Sequence, residues 1–265
     1  MREPEQKRFS PLRLLILLAA IGVFCYAALQ LLDYSGENAQ AEQGNQVLIE
    51  QAVVLVEPTA PAEGAADETE PPRETAPNQV DFEALHLQNP DIIGWIYSPD
   101  TPINYPIAQS GDNSYYLRRL IDGTRNASGT IFADFRNAPD FSDRNTLVYG
   151  HNMKNNTMFG TLSEYRRQSY YDAHSTLWLL TPEGSYKLEP LSGFITRADS
   201  DSYTLFETQE ELTAYLEDAM GQSGFAAEVE PETVQRIVTL STCTYQADDK
   251  RFILVCALTE LDNGQ

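Results

Sequence analysis

Residues 238–256 read VTLSTCTYQADDKRFILVC. The first half is a β-branched and apolar series of the kind that forms strands, and the run Phe252-Ile-Leu-Val resumes that character after a polar break. Two strands joined by a short polar loop put Cys243 at the end of one and Arg251 at the start of the next. A cysteine at a strand end is partly exposed and can be aimed into a cleft. Its reactive form, the thiolate, needs electropositive company, and a guanidinium across a hairpin-length loop supplies a permanent positive charge. Cys256 lies five residues past Arg251 and so on the other strand face, where it reads as a small buried hydrophobe. Opposite-facing strand positions rarely meet disulfide geometry, so the two thiols are expected to stay separate.

Outward from this run the pattern is similar. Short β-branched or aromatic segments at 92–97, 129–133, 145–150, 176–181 and 185–196 are bounded by Gly, Pro, Asn or Asp. Pro182-Glu183-Gly184 marks a hairpin between the last two. Helices are expected at 81–88, stopped by Asn89-Pro90, at 113–121, at 163–173, and at 208–220. In the last, Thr208 and Glu211 form a capping box. Many short strands with a few helices imply a mainly-β barrel or sandwich, and residues 81–265 suffice for one such domain.

Three histidines could partner the thiol. His86 falls in the first expected helix and His174 between a helix and a strand, both ordinary boundary positions. His151 follows Thr146-Leu-Val-Tyr-Gly150, so it too projects from a strand end, and Gly150 allows a bend there. Cysteine, histidine and arginine on strand ends are a plausible nucleophile, acid/base and charge stabiliser. No H-x-x-x-H or C-x-x-C pairs exist for zinc, and no Gly-rich phosphate loop or G-x-S-x-G elbow is present. The order, histidine before cysteine, opposes a papain-like protease.

Residues 14–32, LLILLAAIGVFCYAALQLL, contain no charge. Nineteen residues rise about 28 Å as a helix, one bilayer core. Four bases and two acids precede the run, so the positive-inside rule places residues 1–13 in the cytoplasm and the rest outside. Ala39-Gln40-Ala41 offers a cleavage-like site, but the apolar run is longer than a signal-peptide core, which favours an uncleaved anchor. Residues 33–80 hold ten acids, one base and five prolines, and read as an acidic disordered linker. The patch VLIEQAVVLV at 47–56 is its one apolar stretch. Of the net charge of −21, the flank carries +2, the linker −9 and the domain −14. Such acidity argues against a nucleic-acid partner.

The segments NPDIIGWI (89–96), INYPIAQSGDNSYYL (103–117), SGTIFADFRN (128–137), NTLVYGHNMKNNTMFGTL (145–162) and TLSTCTY (239–245), with Arg251 eight residues past the cysteine, together resemble class B sortases. These are membrane-anchored cysteine transpeptidases of Gram-positive bacteria. The resemblance implies a closed β-barrel of seven or eight strands, with an N-terminal helix and a long helix before the cysteine strand. It implies a triad of His151, Cys243 and Arg251, with the Thr244 amide as a second oxyanion donor. Asn113, Leu117 and Ser241 match peptide-groove positions; Tyr203 is placed there more loosely, in a variable loop. It further implies secreted substrates with a C-terminal signal like NPxT followed by Asn, Gly or Ser, and an amine acceptor on peptidoglycan. A pilin lysine is the alternative acceptor, and a silent wall-binding domain the alternative role. No cofactor and no metal are expected.

Overall fold

The computed structural model describes residues 11–55, 75–244 and 249–261. The flank at 1–10, residues 56–74 of the expected linker and the hairpin tip at 245–248 lie outside the described residues.

The chain begins with helix α1, Pro11–Ala52, 42 residues or about 63 Å of rise. Its apolar half has large side chains open on all sides, Leu15, Phe24 and Leu31 among them. A surface of that kind is unsuited to water and suited to a bilayer. Here the structure corrects the expected tether. Residues 33–52 are not a loose coil but continue the helix, and strand β1 (Val53–Leu55) pairs antiparallel with β2 (Asn78–Val80). Ala, Glu and Gln, which made the segment look disordered, are also strong helix formers. A helix already nucleated by the apolar span needs only propagation. The far end is secured by packing. Leu48 and Ala52 are buried against Leu85, Ile92, Trp95 and Leu180.

Helix α2, Phe82–Gln88, starts at Asp81, whose carboxylate accepts the Ala84 amide at 2.9 Å. The barrel follows: β3 (Ile92–Tyr97), β4 (Asn104–Ala108), β5 (Phe132–Ala133), β6 (Asn145–Tyr149), β7 (Leu177–Leu180), β8 (Ser185–Arg197), β9 (Ile237–Cys243) and β10 (Lys250–Glu260). They close in the order β10-β8-β7-β3-β4-β5-β6-β9, with β9 returning to β10. Helix α3 (Gln168–Ala173) precedes β7, and α4 (Gln209–Gln222), with both halves of its capping box formed, precedes β9.

Four segments differ from the sequence expectation. The helix at 113–121 reduces to a single 3₁₀ turn, Tyr116–Arg118. Asp112 captures the amides of Ser114 and Tyr115, and a bridge between Arg119 and Arg125 then folds the chain across Asp122-Gly123, where Gly123 takes φ 82°. Local turn chemistry outcompetes the apolar stripe. The strand at 129–133 keeps only its last two residues. The helix at 163–173 divides at Arg167 into a 3₁₀ turn (Leu162–Arg166) and α3. Strand β4 has no counterpart among the expected strands, because Pro106 removes a ladder donor from its centre.

Alternation in β10 builds two cores. Phe252, Leu254, Cys256 and Leu258 point into the barrel, while Ile253, Val255 and Ala257 pack outward against Leu212, Leu216 and Ala219 of α4. Arg251 shares the parity of the outward set and Cys256 that of the inward set.

Candidate active site

Strands β6 and β9 run parallel, with Tyr149 paired to Ser241. His151 and Cys243 each lie two residues beyond that pair, so they leave the same edge of the barrel from adjacent strands. Antiparallel pairing then sets Arg251 directly opposite Cys243. Three neighbouring strand ends therefore bring the three expected residues together without a designed loop. Two bonds tie the strand ends further: Gly150 N–H donates to Ser241 O at 3.1 Å, and Asn152 Nδ2 donates to Cys243 O at 2.9 Å.

Gly150 is required for space rather than for a bend. A Cβ there would stand 2.6 Å from the Phe159 ring, which is buried beneath the histidine loop. The loop is pinned by Phe159 N–H to His151 O at 3.0 Å and by an Asn152–Met158 bridge.

His151 Nε2 sits 2.7 Å from Leu117 O. A carbonyl only accepts, so Nε2 carries the proton and Nδ1 keeps its lone pair in the neutral ring. Burial pushes the His151 pKa below its ordinary value, opposed by the Leu117 carbonyl and assisted by the Arg118 charge. Cys243 is exposed and unbonded to sulfur, whereas Cys256 is fully buried, with its thiol pushed well up by that burial. Arg251 Nη1 donates to Lys250 O at 2.9 Å. The Thr244 amide donates to Lys250 O at 3.3 Å, closing the β9–β10 turn, so in this state it is engaged rather than presented to the cleft.

Three of the residues expected in the groove, Asn113, Tyr203 and Ser241, are linked through Tyr149 and Asp134. Tyr203 OH and Ser241 Oγ lie 2.8 Å apart. The Tyr203 ring stacks on Tyr149, whose hydroxyl donates to Asp134 at 2.8 Å. Asn113 Nδ2 donates to the same carboxylate at 3.0 Å, and Asn113 Oδ1 accepts the Phe135 amide. Leu117 is 41% exposed, and its carbonyl meets His151. Asp134 itself is fully buried and receives both Nε and Nη2 of Arg136 at 2.9 Å. Burial raises its carboxyl, but these donors outweigh burial and hold the pKa down at about 2.

Sequence reasoning missed Asp134, Arg136, Tyr149 and Asn152. Tyr149 was within reach, because it precedes His151 by two on a strand and must share its face. Asp134 had no such signal, since only Arg136 is near it in sequence and Asn113 and Tyr149 come from two other segments. His86 is bonded to Ile92 O at 2.8 Å, and His174 lies against the Tyr170 ring. Among the described residues no group of His, Cys, Asp and Glu could hold a metal.

The sortase domain profile matches residues 96–259. Sortase B of Staphylococcus aureus is 34% identical over 184 residues, covering 68% of this chain and 75% of that protein. Sortase B of Listeria monocytogenes is 30% identical over 232 residues, covering 87% and 89%. A solved S. aureus sortase B–substrate complex superimposes with a TM-score of 0.64 at 33% identity, covering 68% of this chain and 85% of that one.

Proposed function

The chain belongs to the sortases, and within them to class B, the cysteine transpeptidases of cell-wall anchoring, and we propose that Cys243, His151 and Arg251 perform its acyl transfer. The observation that carries this reading is the register: Tyr149 against Ser241 and Cys243 against Arg251 put all three side chains at one edge of the barrel.

The neutral His151 ring has an unoccupied Nδ1, which takes the thiol proton as Cys243 sulfur attacks the scissile carbonyl of the signal threonine. The carbonyl oxygen gains negative charge in the tetrahedral intermediate. Arg251 stays protonated throughout, so its part is donation to that oxygen or to adjacent peptide carbonyls. For Thr244 to add a second donor, its amide has to leave Lys250 O. Collapse breaks the C–N bond, and the imidazolium gives its proton to the departing amine. The resulting thioester is attacked by an incoming amine, whose proton His151 removes, and Cys243 leaves as the thiolate. The imidazolium then returns that proton to the thiolate, which restores the starting thiol and neutral ring, and no cofactor is called upon.

The substrate in this reading is a secreted protein with an NPxT-type signal followed by Asn, Gly or Ser, held along the line from Asn113 and Leu117 to Tyr203 and Ser241. The acceptor is a peptidoglycan amine. Residues 14–32 anchor the enzyme, with its N-terminus inside and the barrel outside the membrane. The test is a set of peptides with fluorophore and quencher flanking NPxTN, NPxTG and NPxTS, incubated with oligoglycine or lysine-bearing acceptors and resolved by mass spectrometry. Amide-linked product with the glycine amine is expected. Product formed only with the protein lysine would move the assignment to pilus polymerisation, and free acid alone would make the enzyme a hydrolase.

A further inference from the structure

From the unbroken helix α1 and the basic loop beside it, we infer that the barrel rests on the membrane through Arg118, Arg119 and Arg125, which contact anionic lipid headgroups of the outer leaflet. The inference rests on the reading of residues 14–32 as a membrane anchor.

Height above the bilayer can be read along α1. Glu37 follows Leu32 by five residues, about 7.5 Å of rise. At that level Asn126 Nδ2 donates to Glu37 O at 2.8 Å, the Ala127 N–H donates to Glu37 Oε2 at 3.2 Å, and Ser128 Oγ meets Asn38 Oδ1 at 3.2 Å. The next contacts are higher. Glu42 meets Asn155, Asn45 meets Asn104, and Gln51 meets Gln88. The loop ending at Ser128 is therefore the part of the barrel docked lowest on the helix.

That loop departs from the charge of the domain. Residues 113–128 hold three arginines and one acid, Asp122, for +2, within a domain of −14. Arg119 is bridged to Arg125 and lies over the Tyr115 ring at 4.7 Å, and Arg118 and Arg125 are exposed. The nearby carboxylates are tied to backbone amides: Asp122 accepts the Thr124 amide, Asp112 those of Ser114 and Tyr115, and Glu37 that of Ala127. An acidic body with one basic edge is oriented by an anionic surface, with that edge inward. The same loop supplies Leu117 O to His151, so this seating brings the catalytic cleft close to the lipid plane.

The full chain is to be placed in lipid nanodiscs of phosphatidylcholine, with and without phosphatidylglycerol, and amide hydrogen exchange followed along the chain. Residues 14–32 should be protected in both. Exchange over 118–128 should slow roughly tenfold in the anionic discs. The slowing should vanish at high salt and in the triple variant Arg118→Gln, Arg119→Gln, Arg125→Gln, whose barrel strands keep wild-type protection. Equal exchange of the loop in both lipids, slowing that survives the triple substitution, or slowing produced in phosphatidylcholine by soluble glycerol phosphate would overturn the inference while leaving the anchor intact. Rapid exchange over 14–32 would overturn the anchor and the inference with it.

Discussion

Cys243 and Cys256 stand on adjacent strands of one hairpin, yet they occupy opposite chemical worlds. Cys243 ends β9 at the barrel edge, exposed, with Arg251 directly across and the His151 loop tied to its carbonyl. Cys256 lies within β10, fully buried among Phe252, Leu254 and Leu258, where burial alone pushes its thiol up. Strand position and parity, rather than residue type, separate the exposed thiol proposed to react from the buried one.

The comparison can be broken most easily at its reactive member. Cys243→Ala should lose on the order of 10⁴-fold or more in kcat/KM for peptide cleavage, since no other described thiol reaches the cleft; retained turnover would remove the nucleophile from the account. Arg251→Lys should follow, losing about 100-fold, because an ammonium cannot reproduce the guanidinium fork opposite Cys243. Asp134→Asn sharpens the comparison between the outward groove and the inward core. It removes the charge and one of the two acceptor oxygens shared by Arg136, Tyr149 and Asn113, and should raise KM several-fold while costing about 1–3 kcal/mol of stability. Linkage gives an independent check. The folded pKa of Asp134 is about 2 against an ordinary 3.8, so its contribution is complete above about pH 4. It is lost as pH falls toward 2, and a denaturation series should lose that dependence in the variant.

Smaller effects belong to the silent thiol and to the histidine. Cys256→Ala should leave kcat/KM within about threefold of wild type but lower stability by about 1–2 kcal/mol, through a cavity beside Leu254. Arg118→Gln removes a charge that opposes protonation of His151, so the His151 midpoint followed by NMR should move upward.

Much of this arrangement is legible in the sequence, for a physical reason. Strand periodicity is two, so Cys243, Arg251 and Cys256 can be sorted to faces by counting, and the flanking β-branched runs locate their strand ends. The capping box at Thr208 is equally local and forms as written. What resists reading is non-local or competitive. The Asp134 network brings Asn113 and Tyr149 to Asp134 and its neighbour Arg136 through folding alone. Residues 113–121 carry a helical stripe that the turns at Asp112 and Gly123 override. Residues 33–52 have a composition compatible with either coil or helix, and the docking of Leu48 and Ala52 settles the choice.

The central claim is that Cys243 is the acyl carrier. Intact-mass analysis of the enzyme quenched during turnover of an NPxT-signal peptide, followed by digestion and mapping, tests it directly. The account predicts one acyl adduct, labile to hydroxylamine, on the fragment holding Cys243, and none on that holding Cys256. An adduct on Cys256, or turnover with no covalent species even when acceptor amine is withheld, would contradict it.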